Sequence, residues 1–182
     1  FLFLKGRCKN CQAKISRQYP VVEFVTGLLF AVLFLKFQDV FFFDTISFSI
    51  SFAYYVALFS ILLVIAVYDL KHKIIPDSLA FMFGLLTFLG LFFFLDGIFY
   101  VHKPTLMDFL SGFILSLPFA LLWLVSKGTW MGLGDAKLAF GLGWMLGFSK
   151  LLSGAVLSFW LGAIIGLLLN LSYLTITKRV FK

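Results

Sequence analysis

The chain has 182 residues, 62% of them hydrophobic and only 13% charged, with a formal net charge of +7. A soluble domain carries about a quarter charged residues, so the composition excludes an ordinary soluble protein. The positive balance does not mark a nucleic-acid surface either, because the basic residues fall in alternate connections between long apolar runs.

The chain opens with Phe1–Leu4, apolar and without a Met. This stretch reads as the end of an earlier element in a chain truncated at its amino terminus. A signal peptide fits less well, because its charge would precede the apolar run. The segment 5–18 is basic and carries Cys8-Lys9-Asn10-Cys11. Two thiolates at this spacing grip one edge of a tetrahedral zinc ion, which takes four ligands. The chain has no obvious second pair, so Cys8 and Cys11 are a zinc half site or, equally, two free thiols.

The first span is Tyr19–Leu35, apolar apart from Glu23. The second is Ile46–Tyr68, a clean run that ends at Asp69. Then follows Asp-Leu-Lys-His-Lys-Ile-Ile-Pro-Asp. Pro76 cannot continue a helix but suits the start of one. Asp77 then lies in a first helical turn, where a carboxylate is favoured. Asp69 lies at a helix carboxy end, where it is not, with Lys71 and Lys73 near to offset it. Spans three and four are Ser78–Leu95 and Phe109–Ser126. Span five, Gly128–Ser149, is interrupted by Asp135 and Lys137, and span six is Leu151–Thr177. About 20 apolar residues cross the hydrocarbon core. The uncharged parts of spans one and five, Phe24–Leu35 and Leu138–Ser149, are shorter, about 18 Å of helix at ~1.5 Å per residue. Their polar residues must lie at the membrane boundary and are functional candidates.

Lys and Arg cluster in the first segment, after span two at Lys71 and Lys73, and in the tail at Lys178, Arg179 and Lys182, and the link after span four holds Lys127. The other links hold one lysine each: Lys36, Lys103 and Lys150. The positive-inside rule then puts both termini in the cytoplasm. The expected fold is an all-α polytopic transmembrane helix bundle of about six spans behind a short cytoplasmic segment. Residues 1–18 form that segment, 19–177 the membrane domain and 178–182 a basic cytoplasmic tail. The partner implied is the lipid bilayer. Gly143-xxx-Gly147 and Gly162-xxx-Gly166 are small-residue pairs that allow helices to approach closely.

Asp39, Asp44, Asp96 and Asp108 read as solvated residues of the outer links. Glu23, Asp69, Asp77 and Asp135 fall at the cytoplasmic boundary. Asp135 stands in Gly132-Leu133-Gly134-Asp135-Ala136-Lys137, where the glycines permit unusual backbone geometry and close approach by another segment. The bland reading is a boundary loop with Lys137 as a neutralising partner. The functional reading pairs Asp135 with Asp69. Peptide hydrolysis needs an activated water and a protonated leaving nitrogen, and two carboxyls sharing one proton supply both. Of the two, the helix ends make Asp69 the readier to hold its proton and Asp135 the readier to ionise.

At these residues the sequence resembles the bacterial type IV prepilin peptidases, among the GxGD membrane aspartyl proteases. The likeness rests on Gly6–Cys11 with Ile15-Ser16-Arg17 and Tyr19–Glu23, on Asp69 through Ile75-Pro76-Asp77, and on Gly132–Leu138. The resemblance implies cleavage of the basic leader from prepilins and pseudopilins at the cytoplasmic face of the inner membrane. It implies Asp69 and Asp135 as the catalytic pair, with Gly132, Gly134, Lys137, Pro76 and Asp77 as supporting motif positions. No cofactor is needed for proteolysis. Many members also methylate the new amino terminus with S-adenosylmethionine, and Glu23 is a candidate contributor to that step or to substrate docking. The family's earlier span and first CxxC are absent here, which leaves the zinc site incomplete. Two other readings compete: a related GxGD protease with different substrates, and a transporter or channel subunit. Transport predicts polar residues at midplane, and here Asn170 is the main one.

Overall fold

The computed structural model describes Gly6, residues 10–14, Ser16 and residues 18–180, without the side chains of residues 169 and 171–180. Cys8, Phe1–Leu4 and Lys182 lie outside the described residues. In hydrocarbon every backbone N–H and C=O must find a partner within the protein, so apolar runs fold as helices. The order is α1 (Gln18–Phe43), α2 (Thr45–His72), α3 (Asp77–Phe93), α4 (Leu106–Ser126) and α5 (Leu133–Val180). α1, α2, α4 and α5 are long and apolar enough to cross a membrane, and α3 is a shorter apolar helix. Phe24, Leu28, Phe159, Trp160 and Leu167 are exposed. Apolar surface this extensive belongs against lipid, and the chain is a multi-pass membrane protein.

α5 is not one rod. Gly147 has φ 68° and ψ 167°, outside the helical region. Before it the chain runs antiparallel to α4: the Phe140 ring meets Phe113 at 4.7 Å, and the Trp144 indole N–H donates to the Phe109 carbonyl at 2.9 Å. After it the direction reverses, since the Phe148 N–H donates to Asp108 at 3.2 Å and the Phe159 ring stacks on Phe119 at 6.4 Å. Residues 133–146 and 148–180 are therefore two helical rods.

The observed elements correct several expectations. α1 runs on through Lys36 and Asp39 to Phe43, so Asp39 is helical and the link to α2 is Asp44 alone. Asp44 caps α2, accepting from the Ile46 N–H and the Ser47 hydroxyl. The Ser47 and Ile46 bonds hold its carboxyl below the ordinary carboxylate range. Asp108 is in the first turn of α4, and its carboxylate caps the rod that begins after Gly147. Asp96 pairs with Lys150 at 3.2 Å. The all-α expectation missed a two-residue antiparallel hairpin, β1 (Phe94–Leu95) and β2 (Ile98–Phe99). Its turn, Asp96-Gly97, has φ of 51° and 93°, the tight turn that matches strand twist.

α1 packs on α2, and α3 and α4 both pack on α5. Glycines make the α5 contacts possible. A methyl group on Gly141 would lie 2.7 Å from the buried Phe83 ring of α3, and one on Gly143 would lie 2.5 Å from the Ser111 carbonyl and 2.6 Å from Gly112 Cα. There the buried Ser111 hydroxyl donates to the Gly143 carbonyl at 2.8 Å. Of the expected small-residue pairs, Gly143 packs, while Gly147 serves the bend. Gly162 and Gly166 have open space where a methyl would project, among the described residues, so their expected packing role is not seen.

Gly143→Ala must push two backbones apart, and overpacking of this kind costs about 1–3 kcal/mol. The variant is expected to melt at a lower temperature than the parent in detergent, and Gly162→Ala to melt with the parent.

Candidate active site

The second helix ends where Lys73 takes the left-handed conformation, φ 58°, and its N–H caps the Asp69 carbonyl at 2.7 Å. Pro76, with φ −65°, precedes α3 and leaves Asp77 in its first turn, as expected. Lys73–Pro76 is therefore a tight linker with little freedom. Opposite it, α5 starts at Leu133, the Asp135 N–H donates to the Gly132 carbonyl at 3.3 Å, and Asp135 lies in the first turn.

These segments enclose one cleft of about 510 Å³, lined by Asp69, Lys73, Ile74, Ile75, Pro76, Asp77 and residues 132–135 and 137. Asp69 and Asp135 are both half-buried, and their carboxyls lie within electrostatic reach of each other. The last turn of α2 and the first turn of α5 thus bring together two carboxyls that stand 66 positions apart (135 − 69). Pro76, Asp77, Gly132, Gly134 and Lys137 line the same space.

Lys137 does not neutralise Asp135. Its ammonium pairs with Asp77 at 2.7 Å and so ties α5 to α3. The two glycines also differ. A methyl on Gly134 would come within 2.9 Å of Ile75 Cβ, so this glycine lets α5 rest on the linker. A methyl on Gly132 would meet nothing closer than 3.9 Å, and neither glycine has positive φ. Sequence reasoning passed over Lys73 as a cleft-lining residue, although a lysine four residues after Asp69 at a helix end is the available signal.

Glu23 is not brought to this cleft. It lines a separate cavity of about 720 Å³ between α1 and α2, with Tyr19, Tyr68, Lys71 and His72. A third cavity, about 740 Å³ and mostly apolar, lies among α3, α4 and α5. It meets the aspartate cleft at Asp77 and Lys137, which line both. No three His, Cys, Asp or Glu side chains gather as a metal site among the described residues, and Cys11 is exposed.

With this geometry in hand, comparison with known proteins is specific. The sequence model of the type IV leader peptidase family matches residues 56–167, and that of the bacterial peptidase A24 N-terminal domain matches residues 1–37. The chain belongs to the type IV leader peptidase family. It is similar to the prepilin leader peptidase/N-methyltransferase of Neisseria gonorrhoeae, 35% identical over 152 residues, which are 83% of this chain and 49% of that protein. The Bacillus subtilis (strain 168) protein of the same name is 31% identical over 167 residues, 91% of this chain and 60% of its own. The type 4 prepilin-like proteins leader peptide-processing enzyme of Escherichia coli O78:H11 is 32% identical over 186 residues, 98% of this chain and 60% of its own. The chain spans about half the length of the curated relatives it matches. No solved structure matches it.

The Asp77–Lys137 pair is exposed, and pairs of this kind contribute about 0–1 kcal/mol. Asp77→Asn is expected to lower the thermal midpoint in detergent only slightly. A loss as large as that of Gly143→Ala would show that the pair, not the packing, holds α3 to α5.

Proposed function

We propose that the chain is a membrane aspartic endopeptidase that removes the basic leader from type IV prepilins and pseudopilins at the cytoplasmic face of the inner membrane. The observation that carries this reading is the meeting of half-buried Asp69 and Asp135 in one cleft at the ends of two apolar helices. The relatives' names supply the substrate class.

The chemistry follows from two carboxyls that share one proton. The ionised one takes a proton from a water as its oxygen attacks the scissile carbonyl carbon. The protonated one donates to the carbonyl oxygen. The resulting diol collapses as the protonated carboxyl gives its proton to the amide nitrogen and the C–N bond breaks, while a diol hydroxyl gives its proton to the other carboxylate, which leaves the pair with one proton again. Both termini then lie in the cytoplasm, in keeping with the clustering of Lys and Arg.

The apolar cavity among α3, α4 and α5 suits the apolar part of such a substrate, because Asp77 and Lys137 line both it and the cleft. For the second activity in the relatives' names, N-methyl transfer, the α1–α2 cavity is the candidate place. There Glu23 shares the lining with Tyr19, Tyr68, Lys71 and His72, and its carboxylate is the group that suits a cationic methyl donor such as S-adenosylmethionine.

Cleavage of a prepilin in membranes or detergent tests the central reading. Asp69→Asn and Asp135→Asn are each expected to lower the rate by about 10³-fold or more while leaving the fold intact. A folded Asn variant that cuts like the parent removes that aspartate from the mechanism. The groove has its own test. Gly84 lines this cavity and has nothing within 4 Å of where a Cβ would stand, so Gly84→Trp places a bulky side chain there. It is expected to raise KM about tenfold with kcat retained, and an unchanged KM would place the substrate elsewhere.

A further inference from the structure

The close contact of Gly134 with Ile75 has a chemical consequence, given the reading that Asp69 and Asp135 form the reacting pair. Gly134 immediately precedes Asp135, and Ile75 stands six residues after Asp69 (75 − 69). A methyl at 134 would lie 2.9 Å from Ile75 Cβ and 3.6 Å from its Cγ1 and Cδ1. The nearest of these atoms is bonded directly to the backbone, so no rotamer change moves it away. The linker cannot yield readily either, being held by the left-handed Lys73 on one side and the fixed φ of Pro76 on the other. The second tie between the same segments, Lys137 to Asp77, runs through a long flexible lysine and tolerates a range of separations.

We propose that Ile75 is a positioning residue. Its β-branched side chain is the stop against which the first turn of α5 rests, and this contact sets the separation of Asp69 and Asp135. Gly134 is then a glycine for proximity rather than for backbone conformation, in keeping with its ordinary φ.

The test is a double-mutant cycle on leader cleavage, with thermal midpoints and pH–rate profiles recorded for each protein. Gly134→Ala is expected to lower kcat about 100-fold with KM little changed, the loss that follows a displacement of about 1 Å. It is also expected to shift the pH profile, because the proton sharing of the pair depends on its separation. Ile75→Val, which keeps the branched Cβ, is expected to stay within a few-fold of the parent. Ile75→Gly alone is expected to lose activity several-fold at an unchanged midpoint. Ile75→Gly combined with Gly134→Ala is expected to recover at least tenfold over Gly134→Ala and to restore the parent's pH profile.

Losses that simply multiply, with all proteins folded, overturn the inference. So does a double variant that regains the parent's midpoint without regaining rate, which makes the contact structural only. The broader reading is tested separately by the two Asn variants. If they are inactive and the cycle is additive, the aspartate pair stands and Ile75 does not set it. If an Asn variant cuts like the parent, both fall.

Discussion

The first rod of α5 is the member on which the rest of the bundle depends, because three of its neighbours touch it where it has no side chain. Gly134 receives the α2–α3 linker at Ile75, Gly141 receives Phe83 of α3, and Gly143 receives the α4 backbone at Ser111 and Gly112. In lipid there is little hydrophobic force between helices, since the surrounding tails are as apolar as the side chains. Close packing and hydrogen bonds then decide association. Glycines supply the first, and the buried Ser111 hydroxyl between α4 and α5 supplies the second. Between Gly141 and Gly143 the helix is locked to two partners, so its amino-terminal turn, with Asp135, is presented at a defined height and angle.

Much of this was legible in the sequence because a bilayer penalises exceptions. A carboxylate at the edge of an apolar run has to be explained, and Asp69 and Asp135 stood out for that reason. Pro76 and Asp77 declared the start of α3 through proline's fixed φ and the helix dipole. The helix boundaries were harder. Lys36 and Asp39 looked like the end of a span, yet α1 continues to Phe43, because charged side chains near a helix end reach the aqueous boundary without breaking the backbone. The Asp96-Gly97 turn was in plain view as a hairpin signal, yet it was read as a plain outer link, with Phe94 and Leu95 counted in span three. Nothing local announced that Asp108 would cap a rod 40 residues further on, since that bond exists only after Gly147 reverses the chain.

The same distinction separates the site residues. Which residues face the cleft could be read from charge, glycine and proline. Their pairing could not. Lys137 is two residues from Asp135 and is the obvious neutralising partner, but on a helix positions two apart point in different directions. It reaches Asp77 instead, and Asp135 keeps company with Asp69. Ile75 is invisible as a site residue in the sequence because it is apolar in an apolar chain.

That pairing has a functional logic. A lysine on Asp135 would hold it ionised, because an opposite charge at close range favours the charged form. Two ionised aspartates would repel and leave no proton for the carbonyl oxygen or the leaving nitrogen. A carboxylate neighbour carries no such bias toward the charged form, and the proposed reaction needs one proton held between the two members. By holding Lys137 against Asp77, the fold keeps a cation near enough to tie α5 to α3, yet engaged with a carboxylate outside the pair. Asp77 and Lys137 thereby engage each other, and Asp69 and Asp135 line the same cleft without a lysine bound to either among the described residues.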